Sequence, residues 1–258
     1  MAFIDLGELR TRYELTGAEG PVLVFSNSLG TDYSMWDPQL HEFGKRFRIL
    51  RYDTRGHGQS SVTPGEYSIE ELGRDVLRLL DELSLERVDF CGLSMGGMIG
   101  IWLGINAPDR IHRLVLCNTA ARIGTREMWN TRIATVRKQG MKPVAAAVVE
   151  RWFTPEFRAR HPEKATRAQQ MLEDSPPEGY AACCAAIRDM DLCAGVERIS
   201  LPTLIIYGDK DPVTPKSDAM FLQERIRRAT AVGLSAAHLS NVEQPEAFTE
   251  AVRNFLCK

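Results

Sequence analysis

Val88-Asp89-Phe90-Cys91-Gly92-Leu93-Ser94-Met95-Gly96-Gly97-Met98 is the stretch whose reading decides the fold. A short β-prone apolar run (Val88, Phe90, Cys91) enters Gly92-Leu93-Ser94-Met95-Gly96, and a helical pattern follows from Met98 to Ala107. Strand, sharp turn and helix around Gly-x-Ser-x-Gly form a nucleophile elbow, which makes Ser94 the candidate nucleophile. The two glycines flanking it have a steric task, because a turn this tight presses backbone against backbone and a side chain at Gly92 or Gly96 would collide with neighbouring chain. The helix that opens after Ser94 directs unpaired N–H groups and a positive dipole end at whatever Ser94 attacks, which favours a developing oxyanion. The motif by itself recurs by accident, and its place between a strand and a helix gives it weight.

Working outward, Pro21-Val22-Leu23-Val24-Phe25 is a continuous apolar run of the kind a strand buried on both faces shows, and it ends in the polar loop Ser26-Asn27-Ser28-Leu29-Gly30. Met35 to Phe43 reads as a helix, and Phe47 to Tyr52 as a strand leading into Asp53-Thr54-Arg55-Gly56-His57-Gly58-Gln59-Ser60. Ser68-Ile69-Glu70-Glu71 is a capping box, with Ile69, Leu72, Val76, Leu79, Leu80 and Leu83 at helical spacing behind it. Ile111 to Cys117 is again a strand. Ala2 to Leu6 and Arg12 to Leu15 read as an opening antiparallel hairpin.

Strands and helices thus alternate from Pro21 to Asn118, which predicts an α/β fold with a mainly parallel sheet and helices on both faces. The alternation stops at Arg122. Up to about Leu192 there are helical patterns at Met128 to Arg137, Val144 to Trp152, Ala165 to Leu172 and Tyr180 to Arg188, punctuated by Pro155, Pro162, Pro176 and Pro177. Residues 122–192 are therefore expected to be an inserted helical cap on a core of residues 1–121 and 193–258. The sheet resumes at Pro202 to Tyr207, a weaker strand covers Ala229 to Leu234, and Val242 to Leu256 is expected as a closing helix with Asn241 as its cap.

The totals exclude several function classes. Lys plus Arg number 32 and Asp plus Glu 34, so the net charge of 32 − 34 = −2 gives no footing for nucleic acid or a membrane surface, and a small molecule is the expected partner. The six cysteines form no framework and no metal-type pairs, and read as reduced core residues, with no metal site expected. The N-terminal stretch lacks a basic segment followed by an apolar run, and no apolar stretch approaches the ~18 residues of a membrane span, so a soluble cytoplasmic protein is expected.

A serine hydroxyl needs a base within hydrogen-bond reach and a third group to orient that base. Of five histidines, His238 lies in a loop after the last strand, among small residues, and the chain order Ser, acid, His is one that accompanies an elbow serine. His57 also follows a strand, but it precedes Ser94 and reads as a turn-stabilising residue. Asp209 and Asp211 compete as the acid; Asp211, further into the loop, has the better-fitting position, with Asp209 stabilising the turn. The other place for an acid, after Ile111 to Cys117, holds the uncharged Asn118. An oxyanion site would take the N–H of Met95, after the nucleophile, and that of Leu29, in the loop after the early strand.

These residues together resemble the α/β-hydrolase family over nearly the whole chain. Within it, Asn27-Ser28-Leu29-Gly30, Met35-Trp36, the Arg51 to Ser60 run, Gly92 to Gly97 and His238-Leu239-Ser240-Asn241 are similar to the enol-lactonase family that acts on 3-oxoadipate enol-lactone. The Asn27-Ser28 pair is the discriminating detail, since many relatives carry His-Gly there. The resemblance implies opening of a small anionic enol-lactone to 3-oxoadipate in aromatic acid breakdown, through an acyl-enzyme and without metal or organic cofactor. The substrate carboxylate then needs a cationic partner, and the cap offers Arg122, Arg126, Arg132, Arg137 and Arg151. Arg132 and Trp129, near the start of the first cap helix, are the chosen contacts, with Trp152 as a further pocket residue. Rival readings keep the same catalytic groups: a broad carboxylesterase, a carbon–carbon bond hydrolase, a cofactor-free perhydrolase, or a ligand-binding protein on the same fold.

Overall fold

The computed structural model describes residues 2–17 and 19–257. The strands are β1 (Ala2–Leu6), β2 (Leu9–Thr16), β3 (Val22–Ser26), β4 (Arg48–Tyr52), β5 (Val88–Leu93), β6 (Ile111–Cys117), β7 (Thr203–Gly208) and β8 (Ala229–Leu234). They form one sheet in the order β1-β2-β4-β3-β5-β6-β7-β8. The β1–β2 and β2–β4 pairings are antiparallel, and every pairing from β4 to β8 is parallel. The sequence of β3 and β5 accounts for their central place, because every residue in both is buried, as a strand covered by helices on two faces requires. The opening strand β1, at the sheet's edge, alternates between half-buried and exposed positions instead.

The helices outside the insert are α1 (Asp37–Phe43), α2 (Ile69–Glu82), α3 (Met95–Asn106), α9 (Lys216–Arg225), α10 (Ser240–Glu243) and α11 (Pro245–Leu256). Ser68 Oγ caps α2 by accepting from Glu71 N–H at 3.1 Å, and the apolar face of α2 from Ile69 to Leu80 is buried. Glu71's carboxylate pairs with Arg55 at 3.0 Å. Between β6 and β7 run α4 (Arg126–Gln139), α5 (Lys142–Trp152), α6 (Pro155–Arg160), α7 (Pro162–Glu173) and α8 (Pro177–Asp189). The two ends of this insert meet where Leu192 N–H donates to Ala121 O at 2.9 Å.

Three expectations need correction: the number of helices in the insert, the single closing helix and its cap. Pro155, Pro162 and Pro177 punctuate the insert by starting its helices: each is the first residue of one, where a missing N–H costs nothing and the fixed φ favours the first turn. The insert accordingly has one helix more than the periodicity showed, α6 being too short at six residues to display a pattern. The closing helix is also divided, with α10 ending before Gln244 because the residue ahead of Pro245 is pushed out of helical geometry. Asn241 is not a cap. Its side chain is buried and its Nδ2 donates to Met35 O at 2.9 Å and Gln39 Oε1 at 3.2 Å.

No helix among the described residues is long and apolar enough to cross a membrane.

Candidate active site

Because β3 to β8 run parallel, the loops after β3, β5, β6, β7 and β8 leave the sheet on one side, and each of these loops supplies a residue to the site. At the end of β5, Ser94 holds φ 56° and ψ −114°, a strained conformation for a residue with a side chain. The surroundings enforce it: Ser94 N–H donates to Cys117 O at 2.9 Å, Thr119 Oγ1 donates to Ser94 O at 2.7 Å, and Gly96 N–H donates to Asn27 O at 2.9 Å. A Cβ on Gly92 would overlap Gly96 O, and one on Gly96 would overlap Ser26 O, so the elbow closes only with glycine at both places.

His238, in the loop after β8, is buried, and its Nδ1 lies 2.8 Å from Asp211 Oδ2 in the loop after β7. With Nδ1 engaged by the carboxylate, Nε2 is the ring nitrogen left for the cavity. Asp209 is exposed in the same loop, so of the two competing acids it is Asp211 that meets the imidazole. Asp211 Oδ2 also accepts from Asn118 Nδ2 at 2.9 Å and Thr214 Oγ1 at 2.8 Å, while Oδ1 accepts from the N–H groups of Val213 at 2.7 Å and Thr214 at 3.2 Å. Burial alone would raise the pKa of this carboxyl. The charge and hydrogen bond of His238, with the bonds from Asn118 and Thr214, outweigh burial and hold it below the usual value.

Asn118, uncharged and therefore no candidate for the acid, is nonetheless a member of this cluster. At the end of β6 it takes φ 43°, donates from Nδ2 to Ala237 O at 3.2 Å as well as to Asp211, and accepts from Ser240 Oγ at 2.6 Å. A polar residue after the strand neighbouring β7 was the available signal, because the amide's donors match a carboxylate and its carbonyl matches a hydroxyl.

In the loop after β3, Ser28 N–H is turned to Met35 Sδ at 3.3 Å, Gly30 N–H to His57 Nε2 at 2.9 Å and Thr31 N–H to Ser28 O at 3.2 Å. Leu29 N–H, between them, has no acceptor among the described residues. Met95 N–H is one of the orphan donors of the first turn of α3. His57 faces this loop rather than Ser94.

Ser94, His238 and Leu29 line one cavity of about 260 Å³ whose remaining wall comes largely from the insert: Trp129, Arg132, Arg151, Trp152 and Tyr180. Among the described residues no carboxylate lines it. Of the five arginines named from sequence, Arg122, Arg126 and Arg137 form ion pairs with Asp191, Asp189 and Glu178. Arg132 and Arg151 are the two that reach the cavity, Arg132 with its guanidinium 5.0 Å from the centre of the Trp129 ring. Burial, with Arg132's charge added to it, pushes Arg151's pKa below its ordinary value, the mark of two cations facing one space. Arg151 was not singled out from sequence, where it is one exposed-looking helix arginine among several.

The loop of His238 is stitched to the insert on both sides. Leu239 N–H donates to Trp152 O at 3.0 Å. Before His238, Ala237 N–H donates to Glu243 Oε2 at 2.9 Å, and the same buried carboxylate accepts from Thr154 N–H at 3.3 Å and from the Thr154 hydroxyl. Among the described residues there is no group of three or more side chains placed to hold a metal ion.

Comparison with known proteins adds three findings. A family model described as α/β hydrolase fold matches residues 21–245. The chain is 46% identical over 235 residues to 3-oxoadipate enol-lactonase 2 of Acinetobacter baylyi, covering 91% of this chain and 88% of that one, and 41% identical to 3-oxoadipate enol-lactonase 1 of the same organism, covering 94% and 91%. The crystal structure of the enol-lactonase from Burkholderia xenovorans LB400 superimposes with a TM-score of 0.98 at 42% identity, over 100% of both chains.

Proposed function

The chain belongs to the α/β-hydrolase family, and from that premise we propose that it is a serine hydrolase that opens 3-oxoadipate enol-lactone to 3-oxoadipate in the breakdown of aromatic acids. One observation carries the reading to this substrate class: among the described residues, the cavity holding Ser94 and His238 also holds two guanidinium groups and no carboxylate, so it suits a small ester that bears a negative charge.

Ser94, His238 and Asp211 are the catalytic groups of this reading. Ser94 Oγ adds to the lactone carbonyl carbon while its proton passes to His238 Nε2, and the N–H groups of Leu29 and Met95 hold the oxyanion. Asp211 keeps the imidazole in the tautomer that can accept this proton and stabilises the imidazolium that results. The ring C–O bond then breaks, the enol oxygen takes the proton from His238, and the acyl group remains on Ser94. An enol is a better leaving group than an alcohol, so this first half is not demanding. Water then adds to the acyl carbon with its proton moving to His238, and collapse returns the proton to Ser94 Oγ and frees the new carboxylate.

Arg132 and Arg151 hold the substrate's existing carboxylate in this scheme, and Trp129 and Trp152 enclose its carbon chain. Residues 122–192 act as the cap that sets specificity over a core of residues 1–121 and 193–258. A cytoplasmic location belongs to the same reading, supported by four cysteines buried as free thiols. The test is loss of ultraviolet absorbance from 3-oxoadipate enol-lactone, generated in situ, with wild type and Ser94→Ala, beside a neutral aryl ester. Fast Ser94-dependent loss of the lactone with slow ester turnover is expected. Turnover of the ester alone would keep the serine chemistry and overturn the substrate.

A further inference from the structure

His57 has no part in that scheme, yet it is fully buried and held at both ring nitrogens. Gly30 N–H donates to Nε2 at 2.9 Å, which fixes Nε2 as an acceptor and leaves the ring proton on Nδ1. There Arg55 O lies at 3.3 Å, with the Cys183 thiol of α8 at 3.9 Å. The Tyr180 ring stands 6.4 Å away, and Asp32 is the carboxylate that acts on the imidazole from a distance. Burial pushes the His57 pKa down to about 4, so the ring is neutral in the pH range where the elbow serine would work.

The group it holds is the far end of the loop that carries Leu29. Ser28 O accepts from Thr31 N–H at 3.2 Å and from Thr31 Oγ1 at 2.8 Å, closing a four-residue turn with Gly30 third at φ +81°. That is type II geometry, and a type I turn between the same end residues differs mainly by rotation of the central peptide, here Leu29 to Gly30. The near end of the loop is fixed independently. Asn27 O accepts Gly96 N–H at 2.9 Å, and the Asn27 side chain is held by Tyr52 O at 2.7 Å and Trp36 Nε1 at 3.0 Å. Leu29 N–H belongs to the Ser28–Leu29 peptide, whose oxygen Thr31 holds, and an acceptor on Gly30 N–H fixes the next peptide, so Leu29 is anchored from both sides.

We propose that His57 is a positioning residue for the reaction: a neutral, Nδ1-protonated imidazole that clamps Gly30 and thereby keeps the Leu29 amide directed at the developing oxyanion. The inference rests on the serine-hydrolase reading above and concerns geometry that reading does not specify.

Two variants separate the contacts. In His57→Asn the amide nitrogen can stand where Nδ1 stood, bonding Arg55 O, but nothing reaches Gly30; in His57→Gln the side-chain oxygen can replace Nε2 as the acceptor. Both are compared with wild type by lactone kinetics and by inhibition with butylboronic acid, whose tetrahedral adduct on Ser94 places an oxygen in the oxyanion site. With His57→Asn, kcat is expected to fall ~10–100-fold with KM unchanged and boronate affinity to fall in parallel, a part of what losing one oxyanion donor outright costs. His57→Gln is expected to recover most of both. A merely structural role would lower Tm and leave kcat per folded molecule and boronate affinity as in wild type, which would overturn the proposal.

A wild-type protein that neither opens the lactone nor binds the boronate would overturn the hydrolase reading itself, and this inference with it. Wild type alone supplies a readout independent of the variants' folding. Its imidazole ¹⁵N spectrum at pH 7 should contain a buried neutral ring protonated at Nδ1, with Nε2 coupled to the Gly30 amide. A His57 ring protonated at Nε2 would refute the clamp.

Discussion

Asn118→Asp places a second carboxyl beside Asp211, in a buried cluster where the present amide donates to Asp211 Oδ2 at 2.9 Å. With charge centres ~4 Å apart and an effective dielectric of ~20, two carboxylates repel by about 4 kcal/mol. At ~1.4 kcal/mol per unit this is roughly 3 pKa units, so the pair gives up its last proton near pH 7 rather than near 4. Below that pH the introduced carboxyl carries its proton and donates it to Asp211 as the amide did, and activity should remain near wild type. Above it, a hydrogen bond becomes a repulsion, Asp211 is pushed from the imidazole, and kcat/KM should fall at least ~10-fold by pH 9, a cost of about 1.4 kcal/mol in transition-state stabilisation.

Stability follows with a definite sign. The folded pKa is raised above the unfolded value, so the variant loses nothing below about pH 4 and loses its full ~4 kcal/mol above about pH 7. For a chain of this size that corresponds to a Tm lower by roughly 8–16 °C at pH 8, with little change at pH 4. The assay is kcat/KM from pH 5.5 to 9 and Tm from pH 4 to 8, variant against wild type. An activity ratio that stays constant across the whole range, with a Tm difference independent of pH, would refute the claim that Asn118 and Asp211 share one hydrogen bond.

Asp211→Asn should lower kcat by ~10⁴-fold, as loss of the orienting carboxylate does elsewhere, while Asp209→Asn stays within about twofold; steady-state kinetics giving the reverse order would move the acid to Asp209. Arg132→Met and Arg151→Met should each cost ~10–150-fold in kcat/KM on the lactone, the worth of a charge-assisted hydrogen bond of about 1.5–3 kcal/mol, and spare a neutral aryl ester. Equal losses on both substrates would mean that neither arginine reads the carboxylate. Asp218 has its pKa raised to about 6 by burial and by the charge of Asp211, so ionising it costs stability that is absent below pH 3.8 and complete above about pH 6. Because the group is only half-buried, Asp218→Asn should gain about 1 kcal/mol at pH 8 and nothing at pH 3, read as Tm; a gain at pH 3 would contradict the cause.

The parallel sheet was legible because its strands are buried on both faces and so stand out as continuous apolar runs, as in Val22 to Phe25 and Leu114 to Cys117. The elbow was legible because its constraint is local: Gly92 and Gly96 are required by atoms within a few residues or on the next strand. The insert was less so. Its helices pack on each other and around a cavity, and the prolines that begin three of them look in sequence like breaks. Asn118 and Arg151 could not be ranked from sequence because their importance comes from residues far along the chain. Asn118 meets Asp211 across 93 positions, and Arg151 reaches the cavity only once the end of α5 is tied to the His238 loop, where Leu239 N–H meets Trp152 O. Asn241 failed for the same reason, since a residue that suits a helix start by type is here consumed by Met35 and Gln39.

The bonds that join the His238 loop to the insert bear on how separable the two parts of this molecule are. Trp152 offers the insert's carbonyl to Leu239, and Thr154 shares Glu243 with Ala237, so the amides on both sides of the imidazole take their bearings from residues that a domain diagram would assign elsewhere. A graft that exchanges the insert at its natural seam, the Ala121 to Leu192 bond, exchanges part of the mounting of the base as well. Substrate range in such a molecule is therefore not a cassette that can be swapped above an indifferent catalytic engine. A chimaera that keeps the Trp152 carbonyl and the Thr154 hydroxyl in place inherits a usable base, and one that alters them has to rebuild its bearings along with its pocket.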